Sequence, residues 1–334
     1  MPPSVLVTGG AGFAGAHICE HLLKNTDWEV IVLDRLSYSG SLERLADLRT
    51  EFPDRIRVVF HDFRGQYPSS VLHALKGVRY IIHNGGETHV QRSLEDSEPF
   101  VTSNVLGTMW TLEAARKLNV EHYIQISTDE VHGPAPEGTD YTEDATIRPS
   151  NPYSATKAGA EALAFSYFKS FGLPVTITRT MNLFGERQHP EKFIPMTIRK
   201  VLDGDLLTIH GTASGKVGSR KWLHCRNQAD ALLFLLRQAP KGETFHIAGE
   251  EKTNLEIAEC IAGILGRGLR YKVIDFHSQR PGHDLRYSLD DSKLRALGWN
   301  PPVGFEESLR KTVEWAVKPE NRYWLQEDFQ EVTA

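Results

Sequence analysis

The stretch that decides the fold is Ser4-Val-Leu-Val-Thr-Gly-Gly-Ala-Gly-Phe-Ala-Gly15, at the start of the chain. A short apolar run, a glycine-rich turn and a helical pattern follow one another, as in a strand, a phosphate-binding turn and a helix. Glycines let the backbone approach a pyrophosphate, and the helix N-terminus offers it N–H donors. The glycines fit two registers, Gly10-x-Gly12-x-x-Gly15 and Gly9-x-x-Gly12-x-x-Gly15. The segment therefore predicts a dinucleotide site.

An acid at the end of the next predicted strand selects the dinucleotide. Asp34 closes the run Glu29-Val-Ile-Val-Leu-Asp34 and lies 19 residues after Gly15. A carboxylate at that distance binds the ribose hydroxyls of NAD and repels the 2′-phosphate of NADP. Arg35 follows and could favour NADP, but Asp34 has the strand-end position. We therefore predict NAD as the cofactor.

Strand and helix patterns alternate through the first half of the chain. The candidate strands are 5–8, 29–33, 57–60, 80–83, 123–127 and 175–179, and the helices between them include 16–24, 104–118 and 155–171. Such alternation predicts an α/β protein with a doubly wound parallel sheet and helices on both faces. Ligands of such sheets bind at the carboxyl ends of the strands.

The character of the chain changes after Met181, where loops become longer and richer in Pro, Gly and charge. We expect residues 1–180 to form the NAD-binding domain, and residues 181–334 to form a smaller, mainly helical substrate domain. A strand near 243–249 is expected to return to the sheet. The loops 185–192, 211–220 and 278–286 combine Lys, Arg, His and Asn, which are donors suited to a diphosphate.

Composition and charge exclude several classes of function. The net charge of −5 gives no electrostatic case for binding nucleic acid or an anionic membrane. The longest apolar run, 231–236, is too short to cross a bilayer. Cys19, Cys225 and Cys260 are scattered and no signal peptide is expected before the first strand, so a reducing cytoplasm is predicted. The 14 His have no metal-ligand spacing, and no metal is predicted.

Two motifs in the middle of the chain point to chemistry. Tyr153 and Lys157 would lie one helical turn apart, and an ammonium beside a phenol favours the phenolate. Tyr153 is therefore a candidate base for a hydroxyl proton. The run Thr128-Asp129-Glu130 adds a hydroxyl and two carboxyls after a predicted strand. Each motif alone fits a solvated helix face or a polar turn, but together with the glycine loop they suggest redox chemistry and elimination at one site.

The chain resembles the extended short-chain dehydrogenase/reductase superfamily and, within it, the nucleotide-sugar 4,6-dehydratases. The resemblance spans nearly the whole chain, and its matching segments are 8–15, 87–93, 104–108, 128–131, 151–157, 190–195 and 280–287. The Thr-Asp-Glu run and the run Arg280-Pro-Gly-His-Asp are the most specific to the dehydratases. The resemblance implies a Rossmann fold and favours Gly9, Gly12 and Gly15 as the cofactor glycines.

The resemblance also implies a reaction, in which dTDP-glucose or UDP-glucose becomes the 4-keto-6-deoxy sugar by internal hydride transfer and loss of water. Tyr153 would take the proton of the sugar 4-hydroxyl, and Thr128 would bond the 4-oxygen. Lys157 would hold the nicotinamide ribose and lower the Tyr153 pKa. Glu130 would remove the C5 proton, and Asp129 would protonate the departing C6 hydroxyl.

Further binding residues are implied by the same resemblance. The cofactor set would be Gly9, Gly12, Phe13, Gly15, Asp34, Tyr153 and Lys157, with Asp62 and Phe63 at the adenine. The substrate set would be His89 and Thr128 at the sugar, with Asn182, Lys192, Arg220, Arg280 and His283 at the diphosphate and nucleoside. The helices 104–118 and 155–171, which carry Leu112, Leu163, Phe165 and Phe168, would pair with a second copy in a homodimer.

Several positions depart from the family pattern, and we expect all of them near the sugar or nucleoside. They are Gly85, Gly86, Gln91, His132, His246 and the loop 212–219. The nucleobase and the exact sugar therefore stay open. Two other functions also stay open: a nucleotide-sugar 4-epimerase, which needs no acid–base pair for elimination, and a non-catalytic NAD-binding scaffold, which would usually lose Tyr153 or Lys157.

Overall fold

The elements of the chain alternate between strand and helix up to residue 180. A computed structural model describes residues 2–212, 215–275 and 286–326. The elements of the first part are β1 (Ser4–Thr8), α1 (Phe13–Asn25), β2 (Glu29–Asp34), α2 (Ala46–Glu51), β3 (Ile56–Phe60), α3 (Ser69–Ala74), β4 (Val78–His83), α4 (Val90–Glu95), α5 (Glu98–Phe100), α6 (Gly107–Leu118), β5 (His122–Thr128), α7 (Pro152–Phe171) and β6 (Val175–Thr180). A π-helical segment, Val101–Leu106, joins α5 to α6, and 3-10 turns cover Leu42–Leu45 and Asp129–His132.

The second part mixes short strands with helices. Its elements are β7 (Asn182–Phe184), α8 (Phe193–Asp203), β8 (Leu207–Gly211), β9 (Ser219–His224), α9 (Cys225–Gln238), β10 (Thr244–Ile247), β11 (Glu250–Thr253), α10 (Asn254–Leu265), β12 (Tyr271–Asp275), β13 (Arg286–Tyr287), α11 (Ser292–Ala296) and α12 (Phe305–Ala316), followed by a 3-10 helix, Pro319–Leu325. Among the helices that the structure describes, none is long and apolar enough to cross a membrane.

The predicted doubly wound parallel sheet is confirmed. Within the described residues, seven strands form one parallel sheet in the order β10-β6-β5-β4-β1-β2-β3. The strand order reverses at β1, which pairs with β2 on one side and with β4 on the other. The crevice outside the carboxyl end of β1 is therefore the place where such sheets bind ligands. All six predicted strands are present, within two residues of the expected ends.

Helices cover both faces of the sheet, which explains why β1, β5 and β6 are buried along their whole length. Helices α1 and α9 pack over one face, where Ile18 and Leu232 are fully buried with Phe245 of β10. Helices α6 and α7 cover the other face, where Leu112 and Ala164 are fully buried. Each of the Ile, Leu and Phe side chains contributes about 1.5–3 kcal/mol when it leaves water.

The second part of the chain is joined to the sheet rather than set apart from it. Strand β10 extends the sheet by pairing in parallel with β6, and helix α9 packs against α1 in the same core. A separate core forms where α8, α10 and α12 meet, around Ile198, Ile257 and Leu309. The division of the chain at residue 180 stays a prediction, because the N-terminal core includes residues from both sides of it.

Candidate active site

A cleft of about 390 Å³ opens at the carboxyl ends of the sheet strands. One wall comes from the glycine loop and the strand ends, and the other comes from the start of α7 and the segment that leads into α8. The predicted site residues that line it are Gly9, Gly12, Phe13, Asp34, Phe63, Thr128, Asp129, Glu130, Tyr153, Lys157, Asn182 and Lys192. The structure therefore brings most of the predicted cofactor and catalytic residues to one place.

The glycine loop, residues 9–15, is shaped by close backbone approaches. Gly9 has φ +64°, and a Cβ on it would lie 2.8 Å from the Cα of Gly85. A Cβ on Gly15 would lie 2.1 Å from the carbonyl oxygen of Gly9, so only glycine allows the helix to begin against the turn. Of the two registers left open, Gly9 and Gly12 line the cleft, whereas Gly10 packs against Val32.

The same edge of the sheet has the donors and acceptors that a dinucleotide requires. Helix α1 begins at Phe13 beside bare glycine backbone, so its positive end can receive a pyrophosphate. The Asp34 carboxylate is held by two backbone amides, that of Ala11 at 3.0 Å and that of Leu36 at 2.8 Å. A carboxylate has about four acceptor positions. Asp34 can therefore accept further bonds from ribose hydroxyls, and these residues fit NAD.

Arg35, the residue that could have favoured NADP, is paired with carboxylates. Its guanidinium donates to Glu87 Oε1 at 3.1 Å and lies 3.7 Å from Asp62 Oδ2. Asp62 itself does not line the cleft, because its carboxylate is held by Arg64, at 2.6 Å for the shortest bond. A 2′-phosphate would have to compete with these carboxylates for the Arg35 charge.

Phe63, predicted to contact the adenine, lines the cleft and is fixed there by two glycines. A Cβ on Gly85 would lie 2.5 Å from its ring, and a Cβ on Gly107 would lie 2.6 Å from it on the other side. The ring is therefore clamped between two positions that exclude any side chain. This contact explains the departure at Gly85.

The carboxyl turn, residues 128–132, leaves the end of β5 as a 3-10 turn with Thr128 as its N-cap. The Thr128 hydroxyl donates to Asp129 Oδ1 at 2.9 Å and accepts from the Glu130 amide at 3.4 Å. Asp129 is 4% exposed, and its Oδ2 has no hydrogen-bond partner among the described residues. Burial raises the pKa of Asp129 to about 6, against the opposing effects of the Thr128 bond and the Arg220 charge. This carboxyl is therefore suited to hold a proton near neutral pH.

Glu130 lies in a different environment although it is the next residue. It is only half-buried, and its Oε2 accepts a bond from Asn151 Nδ2 at 2.9 Å. Asn151 is also the N-cap of α7, in a capping box with Ser154. The residue that caps α7 thus also holds Glu130. Sequence analysis missed Asn151, although an Asn before a Pro-led helix is a recognisable cap signal.

Tyr153 and Lys157 lie one turn apart on α7, and both are buried. Burial raises the pKa of the Tyr153 phenol, the negative charge of Glu130 acts in the same direction, and a hydrogen bond with Thr128 opposes them. Burial lowers the pKa of Lys157 to about 8, and its Nζ donates to the Ile126 carbonyl at 2.7 Å. The sequence predicted that Lys157 lowers the pKa of Tyr153, whereas in this structure burial raises it.

The predicted substrate residues are only partly brought together. Lys192, the N-cap of α8, lines the cleft with Asn182. His89 lies outside the lining residues. Its Nδ1 caps α4 by accepting a bond from the Arg92 amide at 3.4 Å, and its Nε2 lies 3.7 Å from Glu191 Oε2. Arg220 also lies outside them, with its guanidinium stacked 4.7 Å above the ring of Tyr287. Arg280 and His283 fall outside the described residues.

The positions that depart from the family pattern lie in different parts of the structure. Gly85 and Gly86 line the cleft, as expected. The expectation for His132 and His246 was wrong, because they lie behind the carboxyl turn, buried against Arg179. The buried Oε1 of Gln91 has no partner in the described part of the chain, and the loop 212–219 is described only at 212 and 215–219.

Some residues that line the cleft come from the second part of the chain and belong to no recognisable sequence motif. Gln228 of α9 is fully buried, and neither atom of its side-chain amide has a partner among the described residues. Gln188 and Trp222 also line the cleft. Residues such as these could not be found from motif spacing, because only the tertiary fold brings them to the cleft.

Comparison with known proteins places this geometry in a family. The sequence model of the NAD dependent epimerase/dehydratase family matches residues 5–248. The low-salt glycan biosynthesis protein Agl12 of Haloferax volcanii is 42% identical over 93% of this chain and 97% of its own length. A dTDP-glucose 4,6-dehydratase of Streptomyces niveus is 39% identical over 96% of this chain and 94% of its own.

Solved structures agree with the sequence relatives. A dTDP-glucose 4,6-dehydratase of Streptomyces venezuelae, solved with NAD and dTDP bound, superimposes with a TM-score of 0.87 at 37% identity. That likeness covers 97% of this chain and 99% of the other. The chain thus belongs to the NAD dependent epimerase/dehydratase family.

Proposed function

We propose that this protein is an NAD-dependent hydro-lyase that converts a nucleoside-diphosphate glucose to its 4-keto-6-deoxy sugar. We name dTDP-glucose as the first candidate substrate and UDP-glucose as the second. The observation that carries the proposal is the carboxyl turn beside Tyr153, where two neighbouring carboxyls have different environments. Elimination needs one acid and one base at the same pH, and such a pair can supply both.

The oxidation half of the reaction depends on Tyr153 and its neighbours. When bound, NAD would supply the hydride acceptor and would give the hydride back to C6 while C5 regains a proton. Its charge would be positive in a cleft where burial and carboxylates raise the pKa of Tyr153. Tyr153 takes the proton of the sugar 4-hydroxyl, and Thr128 bonds the same oxygen. Lys157 holds the ribose next to the nicotinamide. The glycine loop and Asp34 bind the remainder of the cofactor.

The elimination half depends on the carboxyl turn. Glu130, held by Asn151, removes the proton from C5 once the neighbouring carbon is a ketone. Asp129 protonates the C6 hydroxyl as it leaves, because its raised pKa of about 6 keeps a useful fraction protonated near neutral pH. An epimerase would share Tyr153 and Lys157 but would have no use for this pair, and a non-catalytic scaffold would have no use for either.

The nucleotide end of the substrate is assigned to the second part of the chain. Lys192 and Asn182 line the cleft and are suited to the diphosphate. His89, Arg220, Arg280 and His283 stay predicted contacts. The dTDP bound to the Streptomyces venezuelae relative supports a thymidine nucleotide as the first candidate.

We also propose a homodimer that forms through α6 and α7. Phe165 on α7 is 44% exposed and Leu106 before α6 is 39% exposed, so apolar side chains face outward there. Leu163 and Phe168 are half-buried, while Leu112 belongs to the core of its own protomer. Sedimentation velocity at micromolar protein tests the proposal, and a monomer at that concentration would remove it. The scattered thiols of Cys19, Cys225 and Cys260, without a disulfide, support a cytoplasmic location.

The test of function is product analysis with a panel of dTDP-, UDP-, GDP- and CDP-sugars. We expect a product that has lost one water from dTDP-glucose or UDP-glucose, detected by mass. Tyr153→Phe should give neither product nor an NADH absorbance band after substrate is added. An epimer without water loss from the wild type would instead establish the epimerase.

A further inference from the structure

A buried cluster behind the carboxyl turn has no part in the reaction as described so far. The arginine cluster consists of Arg179, Glu161, His132 and His246, and each of these residues is at most 4% exposed. Arg179 is on β6 and pairs in the sheet with His246 on β10 and with Ser127 on β5. His132 is the last residue of the carboxyl turn, and Glu161 is on α7, one turn beyond Lys157.

The Arg179 guanidinium contacts side chains from α7, from the carboxyl turn and from β10. Its Nε and Nη2 donate to the Glu161 carboxylate at 3.1 and 2.8 Å. Its Nη1 lies 3.0 Å from His132 Nε2, 3.0 Å from the Glu143 carbonyl oxygen and 3.4 Å from His246 Nε2. A guanidinium only donates, so a ring Nε2 that bonds it is an acceptor, and Nη1 shares its two N–H groups among these three partners.

The other ring nitrogens agree with this assignment. With Nε2 as the acceptor, a neutral ring carries its proton on Nδ1. His132 Nδ1 lies 3.1 Å from the Thr146 carbonyl oxygen, and His246 Nδ1 lies 3.1 Å from the Tyr141 carbonyl oxygen. Burial, followed by the Arg179 charge, lowers the pKa of both rings. Both histidines therefore stay neutral beside the cation.

The carboxyl turn has few other anchors at this end. The Arg148 amide donates to the Val131 carbonyl at 2.9 Å, and a Cβ on Gly133 would lie 2.5 Å from the Arg148 carbonyl. His132 adds two bonds that no backbone group supplies, one to the 146 loop and one to the sheet through Arg179. These two bonds fix the direction in which the turn leaves β5.

We infer that His132 and His246 are positioning residues for the elimination half-reaction, because as neutral acceptors on Arg179 they hold the carboxyl turn so that Asp129 and Glu130 stay aligned with the sugar. The inference rests on the proposed function. Neither ring touches the cleft, so their effect is exerted through the turn. Glu161 completes the arrangement by balancing the Arg179 charge in a place that water does not reach.

The experiment compares two substitutions of His132 with one of a control histidine. His132→Phe keeps the ring shape but cannot accept from Arg179, whereas His132→Gln offers an amide oxygen as an acceptor. His122→Phe is the control, because His122 is also buried on β5 and bonds Thr176 at 2.8 Å, at the strand end far from the cleft. Each variant is mixed with dTDP-glucose, and both bound-NADH absorbance and the mass of the product are followed over time.

We expect His132→Phe to form NADH at the wild-type rate and with an unchanged KM. The NADH band should then decay about 10- to 100-fold more slowly, since misplacement by about 1 Å can cost that much. His132→Gln should recover most of the decay rate. His122→Phe should lower the melting temperature without changing the ratio of oxidation to elimination.

Wild-type decay in His132→Phe, or equally slow decay in His132→Gln and His132→Phe, would overturn the inference and leave the proposed function intact. A wild type that removes water from none of the sugars in the panel would overturn both. If His132→Phe does not fold, His246→Phe removes the other acceptor, and the same outcomes apply to it.

Discussion

The glycine loop and the carboxyl turn face the same cleft but are held in place by different means. The loop is fixed by close contacts between backbone atoms of a short stretch. For example, a Cβ on Gly15 would lie only 2.1 Å from the Gly9 carbonyl oxygen. The carboxyl turn is fixed by side chains from distant parts of the chain, including Asn151 and Arg179. A local motif is therefore enough to identify the loop, whereas the turn depends on the fold around it.

The difference also concerns electrostatics. The loop offers a ligand backbone dipoles and the Asp34 carboxylate, which is already held by two amides. At the turn, two like groups must behave differently, and burial separates Asp129 from its half-exposed neighbour Glu130. The loop is thus suited to binding a fixed charge, and the turn is suited to moving protons. Four predictions test this contrast.

The largest expected effect comes from neutralising the carboxyls of the turn. Asp129→Asn and Glu130→Gln should each slow formation of the 4-keto-6-deoxy sugar by about 10²–10⁴-fold, the usual contribution of a general acid or base. NADH should still appear, because the loop and Tyr153 are unchanged. Single-turnover absorbance at the NADH band, with product mass, separates the two steps. Wild-type product formation in both variants would reduce the pair to turn residues and favour the epimerase.

The second prediction concerns stability as a function of pH. Burial raises the pKa of Asp129 from 3.8 to about 6, so the folded protein keeps this proton longer than the unfolded chain does. As pH rises from about 4 to 6, the unfolded chain loses the proton first, and the free energy of unfolding falls by about 3 kcal/mol from this group alone. Below pH 4 this loss of unfolding free energy is absent, and above pH 6 it has its full value.

Asp129→Asn isolates that effect, since the amide does not titrate. The difference in unfolding free energy between the variant and the wild type should change in favour of the variant between pH 4 and pH 6 by about 3 kcal/mol, and then stay constant. Urea unfolding at several pH values measures it. A difference that does not depend on pH would mean that Asp129 is ionised as readily in the folded protein as in the unfolded chain.

The third prediction separates the two roles of Asn151. Asp is as good an N-cap as Asn, so Asn151→Asp should leave α7 and the melting temperature nearly unchanged. It replaces the amide that donates to Glu130 with a carboxylate, and the lost bond to a charged group should slow elimination roughly 10- to 100-fold. Asn151→Ala is the comparison, since it removes both the cap and the donor. Equal melting temperatures for the two variants would contradict the proposed capping role.

The smallest effect on elimination is expected from a change in the glycine loop. Gly15→Ala forces the backbone apart at an approach of 2.1 Å, and overpacking of this kind costs about 1–3 kcal/mol. We expect the loss as weaker NAD binding, measured by calorimetry, with unchanged properties of the carboxyl turn. Gly263→Ala in α10 is the matched control, because no atom lies within 4 Å of its added Cβ. It should keep NAD affinity and add about 1 kcal/mol of stability.

What could be predicted from the sequence follows the same division. The strands, the glycine loop and Asp34 depend on nearby residues, and so their pattern is visible along the chain. The Asn151–Glu130 bond, the burial of Gln228 at the cleft and the position of His132 depend on packing between segments that are distant in sequence, which no short motif encodes. The spacing of Tyr153 and Lys157 predicted a lowered Tyr153 pKa. Burial, which depends on the whole fold, raises that pKa instead, and the Lys157 ammonium donates to the Ile126 carbonyl.

The pairing of β10 with β6 has a consequence for how the protein is made. The ribosome releases the chain from its N-terminus, so β6 emerges more than sixty residues before the strand that covers its edge. During that interval a buried strand with unpaired amides and carbonyls is exposed, and such an edge invites association with other chains. A nascent chain that has reached residue 180 therefore contains β1 to β6, but it still lacks the strand that pairs with the free edge of β6. Its escape from aggregation depends on the speed with which residues 181–247 follow.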